Sequence, residues 1–131
     1  MLFRSFSIAF RDSRNGVIVG GDYRKESEGG NNVATTTDGG ATWTLERGPT
    51  GFRSAVEYVP GTAPPMLVAV GPSGSDLSTN NGKTWTSIDS VGYHAVSFAG
   101  SVGWGVGEGG RIGKYGDTTV EIGRASCRER V

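Results

Sequence analysis

Thr36-Thr37-Asp38-Gly39-Gly40-Ala41-Thr42-Trp43 recurs as Ser78-Thr79-Asn80-Asn81-Gly82-Lys83-Thr84-Trp85, an offset of 42 residues. Two short apolar runs precede each copy. They are Phe6 to Phe10 and Val17 to Gly20 before the first, and Ala55 to Tyr58 and Leu67 to Gly71 before the second. The same pair of runs returns at Ala95 to Phe98 and Trp104 to Gly107, so a third copy begins near His94 and extends to about Tyr115. Self-similarity at a fixed period of this size marks a chain built from stacked supersecondary units.

Each unit reads as four short strands. β-branched and aromatic residues fill the runs, and Gly, Asn, Asp and Pro punctuate them. The strands are expected near 5–10, 17–21, 33–37 and 42–46, then 54–59, 66–70, 75–79 and 84–88, then 94–98, 103–107 and 111–115. No window of helical length carries a 3.6-residue apolar period. Four strands per repeat of about 40–45 residues is the pattern of a β-propeller blade. The reading is therefore all-β: a partial β-propeller of about two and three quarters blades, each a four-stranded antiparallel sheet. The blades fall at about 5–47, 53–89 and 93–117, within a fragment spanning 1–120. Closed propellers use about 4–8 blades, so both end blades are expected to expose an apolar face.

The 131 residues carry 13 Lys+Arg and 13 Asp+Glu, and this balance speaks against a nucleic-acid binder. No apolar stretch approaches the roughly 18 residues of a membrane span. Met1 to Phe10 includes Arg4 and no long apolar run, and does not read as a signal peptide. Cys127 is the only cysteine and His94 the only histidine. No disulfide, no metal cluster and no cofactor are therefore expected. Avoidance of cysteine fits an extracytoplasmic bacterial protein.

The octapeptide has a mechanical reading. Asp38 or Asn80 sits in the turn between the third and fourth strands, where its side-chain oxygen can accept backbone N–H groups. Gly40 and Gly82 supply positive φ, and Trp43 and Trp85 start the last strand and cover the turn. The pattern Ser/Thr-x-Asp-x-Gly-x-Thr-Trp resembles the Asp-box, or BNR repeat, of sialidases and many non-sialidase propellers. Thr36, Asp38, Gly40, Thr42 and Trp43 match every specified position. Ser78, Asn80, Gly82, Thr84 and Trp85 depart only at Asn80. In those families the box is structural and lies away from the active site. The segments Phe6-Ser-Ile-Ala-Phe10-Arg-Asp, Gly16-Val-Ile-Val-Gly20-Gly-Asp, Val70-Gly-Pro-Ser-Gly-Ser-Asp76 and Gly107-Glu-Gly-Gly-Arg111 resemble the C-terminal blades of bacterial propellers related to photosystem II assembly factors. That resemblance implies the fold, and function only weakly, because function lives in sites.

Residues 121–131 share none of these patterns. Back-translated, Glu121 to Val131 resembles a common sequencing adapter, so this tail is expected to be extraneous and to pack against nothing.

Several constellations fall short of chemistry. Gly105-Val-Gly-Glu-Gly-Gly110 fits G-x-G-x-x-G, but Arg111 to Tyr115 reads as a strand where a dinucleotide site needs a helix. Glu57 and Tyr58 could suggest a sialidase nucleophile and its partner, but neighbours on a strand point to opposite faces. Arg11, Arg14, Arg24, Arg47, Arg53 and Arg111 carry no motif of an arginine triad. The polar residues that remain gather in the turns after the second and fourth strands. Asp22, Tyr23, Arg24, Arg53, Ser73, Ser75, Asp76, His94, Glu108 and Arg111 are thus the candidate binding rim, opposite the octapeptides. The leading expectation is a non-enzymatic binding or assembly scaffold for a protein partner or extracellular ligand. The rival is a fragment of an exo-acting sialidase-like glycoside hydrolase whose catalytic residues lie in other blades.

Overall fold

A computed structural model describes residues 4–21, 24, 32–49, 51–62, 64–116 and 120–124. Among the described residues twelve strands form three separate four-stranded antiparallel sheets. The first holds β1 (Arg4–Phe10), β2 (Gly16–Gly21), β3 (Val33–Thr36) and β4 (Thr44–Glu46). The second holds β5 (Ala55–Val59), β6 (Met66–Gly71), β7 (Gly74–Ser78) and β8 (Thr86–Asp89). The third holds β9 (Ala95–Ala99), β10 (Val102–Val106), β11 (Arg111–Tyr115) and β12 (Val120–Arg124). Strand order within each sheet follows the chain, and the first strands β1, β5 and β9 lie next to one another. This is a partial propeller of three consecutive blades, with β1, β5 and β9 innermost.

Alternation along the strands sorts residues to the two faces of each blade. Val17 and Val19 of β2 point from the first blade onto Val56, Leu67 and Ala69 of the second. Val68 and Val70, one residue out of phase on β6, point instead onto Tyr93 and Tyr115 at the third blade. The middle blade is thus buried on both faces, which is why Leu67 to Gly71 is an unbroken buried run. Fully burying such a side chain contributes about 1.5–3 kcal/mol, so the two seams hold the blades together.

Links between blades are tied by backbone bonds. Arg53 N donates to Gly20 O at 3.0 Å, and Tyr93 N donates to Gly71 O at 2.9 Å. At Gly71 an added Cβ would lie 2.3 Å from Phe52 O, so glycine is what lets the link run this close to the strand.

Two expectations are corrected. The fourth strands begin after Trp43 and Trp85, which precede β4 and β8 rather than start them. The third blade has four strands where three were expected: Val120–Arg124 pairs with β11 from Tyr115↔Val120 to Arg111↔Arg124. Residues 121–124 therefore do not stand apart, because β11 offers an open edge of unpaired backbone groups to any extended segment that follows it. Residues 125–131 lie outside the described residues.

Candidate functional site

The octapeptides form two near-identical turns. In the first, Thr42 N and Thr36 Oγ1 donate to Asp38 Oδ1 at 2.9 and 2.8 Å, Thr42 Oγ1 donates to Asp38 Oδ2 at 2.6 Å, and Gly40 N donates to Thr36 Oγ1 at 3.0 Å. In the second, Thr84 N and Ser78 Oγ donate to Asn80 Oδ1 at 2.9 and 3.0 Å, and Gly82 N donates to Ser78 Oγ at 2.8 Å. The last bond reverses: Asn80 Nδ2 donates to Thr84 Oγ1 at 2.7 Å. One amide therefore replaces the carboxylate without losing the turn. Gly40 and Gly82 adopt φ of 92° and 89°, as the turn requires. Bonds from Thr42, then Thr36, hold the Asp38 carboxyl down at about 2. Trp85 packs on the first seam and donates to Gly82 O at 2.9 Å. The Asp38 carboxylate is thus engaged on both oxygens by its own turn.

The ten rim candidates separate into groups. Asp22 and Tyr23 lie outside the described residues. Arg24, His94 and Glu108 are exposed, and Arg111 is half-buried, donating from Nη1 to Gly92 O at 2.9 Å. Arg53, Ser75 and Asp76 are interior rather than at a rim. Arg53 Nε donates to Asp76 Oδ1 at 2.9 Å, Nη2 reaches the same oxygen, and Nη1 donates to Phe52 O and Ser73 Oγ at 2.9 and 3.1 Å. Ser75 Oγ meets Tyr115 Oη at 3.1 Å across the other seam. These four side chains fasten blades and links, and burial of a charged pair explains what a polar loop reading could not foresee. Burial raises the Asp89 carboxyl beside them, against the lowering effect of the Val91 N–H and Ser75.

Two clefts open on the octapeptide side. The larger, about 540 Å³, is lined by Phe10, Arg11, Tyr58, Val59, Pro60, Gly61, Thr62 and Pro65, at the ends of the innermost strands β1 and β5. Tyr58 Oη donates to Asn81 Oδ1 at 2.9 Å and Asn81 N donates to Pro65 O at 3.1 Å, tying the second octapeptide turn to this cleft. Burial, then the nearby Asp12 carboxylate, pushes the Tyr58 phenol up to about 12, with Arg11 acting the other way. Tyr58 is therefore a neutral wall of the cleft and a hydrogen-bond donor. Arg11 remains exposed at the mouth, 3.8 Å from Asp12. The smaller cleft, about 400 Å³, is lined by Thr35, Thr36, Thr37, Thr42, Thr44, Glu46 and Lys83. The sequence reading missed both, because each draws residues from two different repeats.

Glu57 and Tyr58 face opposite seams, as strand alternation requires: Tyr58 packs against the first core and Glu57 pairs across to Val68. Gly105 to Gly110 closes a β-hairpin through a 3₁₀ turn (Glu108–Gly110) that leads into β11, not a helix. Among the described residues no group of three or more His, Cys, Asp or Glu side chains could hold a metal ion. Among the described residues no helix is long and apolar enough to cross a membrane.

These features define a partial β-propeller. No protein-family model and no curated protein matches the chain. Solved structures share its fold. It is similar to YCF48 bound to D1 peptide, at 18% identity and a TM-score of 0.63, with 92% of this chain and 40% of that one covered. It is similar to YCF48 from Cyanidioschyzon merolae, at 23% identity and a TM-score of 0.66, covering 93% of this chain and 38% of that one. An ancestral GH74 enzyme matches at 17% identity and a TM-score of 0.65, covering 96% of this chain and 19% of that one. The chain spans about two fifths of the YCF48 chains and a fifth of the GH74 enzyme. At these identities the likeness establishes the propeller fold.

Proposed function

We propose that the chain is a non-enzymatic binding module, built of Asp-box blades, that takes an extended peptide from a partner protein. The observation that carries this reading is the 540 Å³ cleft at the ends of β1 and β5. Phe10, Tyr58, Pro60 and Pro65 supply flat apolar walls, and Arg11 supplies one exposed cation for an acidic side chain or a carboxylate. The likeness to YCF48 bound to D1 peptide supports it, since that propeller holds a peptide. The likeness to an ancestral GH74 enzyme favours the rival, a piece of a glycoside hydrolase. That chemistry needs two carboxyl groups about 5–9.5 Å apart across the sugar. The residues lining this cleft include no carboxylate, and Asp38 and Asp76 are engaged by their own turn and by Arg53.

The test is panning of the chain against a phage-displayed random peptide library. Enriched peptides are expected to lose binding to Arg11→Glu and to keep it with Arg24→Glu/His94→Glu. Loss only in the second variant would move the site to the opposite rim. No enrichment at all would refute peptide binding.

A further inference from the structure

The 42-residue offset sets each position of the second blade beside its counterpart in the first. Thr35 and Leu77 are counterparts on β3 and β7, and each pairs with a threonine of the outermost strand, Thr44 and Thr86 respectively. Two residues further along those outermost strands stand Glu46 and Ile88. In the second blade, Leu77 and Ile88 pack into the seam with the third. In the first, the same two places hold a hydroxyl and a carboxylate, and Thr35 Oγ1 donates to Glu46 Oε2 at 2.7 Å. A third departure falls in the octapeptides, where Lys83 occupies the place of Ala41. The aliphatic pair that fills the outer part of one seam is thus replaced by polar groups in the other.

All three departures meet in the smaller cleft, which Thr35, Glu46 and Lys83 line together with Thr37 and Thr44. Its floor is fixed. Thr35 is 6% exposed, and the turn that carries Lys83 rests on it, since a Cβ at Gly82 would lie 3.2 Å from Thr35 Cγ2. The bond from Thr35 engages only one oxygen of Glu46. Lys83 is exposed, and among the described residues it forms no ion pair with Glu46 or any other carboxylate. An ammonium and a carboxylate therefore line one cleft without neutralising each other. A simple anion would be drawn to Lys83 and repelled by Glu46, and a simple cation the reverse. Among the described residues no aromatic or purely aliphatic side chain lines the cleft, so a bulky apolar group has nothing to pack on there. A small molecule carrying both charges suits both walls, each contact being a charge-assisted hydrogen bond.

We propose that this cleft binds a free α-amino acid with a short polar side chain. Its carboxylate pairs with the Lys83 ammonium, its ammonium pairs with the Glu46 carboxylate, and the hydroxyls of Thr37 and Thr44 serve its side chain. The site lies between the first and second blades and shares no lining residue with the cleft of Phe10 and Tyr58. Ion pairs open to water are weak, so the dissociation constant is expected at about 1 mM.

NMR titration of the isotope-labelled full chain with L-serine tests this. The amide resonances of Thr37, Thr44, Glu46 and Lys83 are expected to move along one saturable curve. N-acetyl-L-serine lacks the ammonium and L-serinamide lacks the carboxylate, and each is expected to bind more weakly by at least about tenfold. Lys83→Ala installs the residue that the first octapeptide carries in the same turn, and Glu46→Gln keeps an acceptor for Thr35. Both variants should therefore keep the fold, which the unmoved remainder of the amide spectrum verifies. Each is expected to weaken serine binding by more than about tenfold. The double variant Thr35→Leu/Glu46→Ile copies the second blade and is expected to abolish binding. No saturable shift at these residues up to ~20 mM serine, equal binding of either derivative, or undiminished binding by Lys83→Ala would overturn the proposal.

Discussion

Removing the Asp76 carboxylate is the sharpest single perturbation available in this fold. Arg53 is 1% exposed and Asp76 is fully buried, and the guanidinium makes two of its bonds to one carboxylate oxygen. Asp76→Ala leaves the positive charge in the first seam without its counter-ion. Breaking a buried pair from one side costs about 3–5 kcal/mol, a large share of the roughly 5–15 kcal/mol that holds a domain folded. Arg53→Met leaves the opposite charge stranded and belongs in the same range. The double variant Arg53→Met/Asp76→Leu strands neither and fills the seam with aliphatic volume, so it is expected within about 1 kcal/mol of the parent chain. Equilibrium urea unfolding followed by the fluorescence of Trp43, Trp85 and Trp104 reads this out. With a slope near 2 kcal/mol per molar, each single variant lowers the Cm by roughly 2 M. A shift below about 0.5 M for Asp76→Ala, the scale of an exposed ion pair, would refute the interior placement of Arg53.

Three other outcomes follow from the same structure. The Asp38 carboxyl has a folded value of about 2 against 3.8 when free, so its contribution is complete above pH 3.8 and fades as pH falls toward 2. A carboxyl NMR titration should show this, and Asp38→Asn, which copies Asn80, should remove that part of the acid sensitivity. A value near 3.8 for Asp38 would contradict the turn geometry. Among the described residues the Tyr93 hydroxyl is buried without a hydrogen-bond partner, whereas that of Tyr115 meets Ser75. Tyr93→Phe should therefore be neutral or stabilising in urea melts and Tyr115→Phe should cost about 0.5–1.5 kcal/mol; the reverse order would be wrong for this seam. A Cβ at Gly113 would lie 2.2 Å from the Tyr93 hydroxyl oxygen, so Gly113→Ala should cost about 1–3 kcal/mol by overpacking and part of that should return with Tyr93→Phe.

The blades were legible because their signals are local. Strand period, turn residues and the octapeptide each lie within a few residues, and their 42-residue offset ordered them. The separate facing of Glu57 and Tyr58, and the strand after Gly110, were legible for the same reason. The burial of Arg53 was not, since a link residue becomes interior only when the Phe52–Arg53 backbone docks on Gly20 and Gly71, a contact between repeats. The cleft of Phe10 with Tyr58 was invisible on the same ground. β12 escaped because its pairing depends on the free edge of β11 rather than on any pattern of its own. Sequence similarity within the chain does hold a trace of the buried contact. Tyr93 and Gly113 occupy in the third blade the places of Arg53 and Asp76 in the second, a large ring over a glycine where the other seam has an ion pair.

The central claim is that the chain folds as three consecutive blades whose middle sheet is covered on both sides. Methyl and aromatic NOEs on the full chain test it most directly. The account predicts contacts from Val17 and Val19 to Leu67, together with contacts from Val68 and Val70 to Tyr93 and Tyr115. Contacts from Leu67 and Val68 to the same neighbouring blade, or the absence of either set in the folded chain, would contradict it.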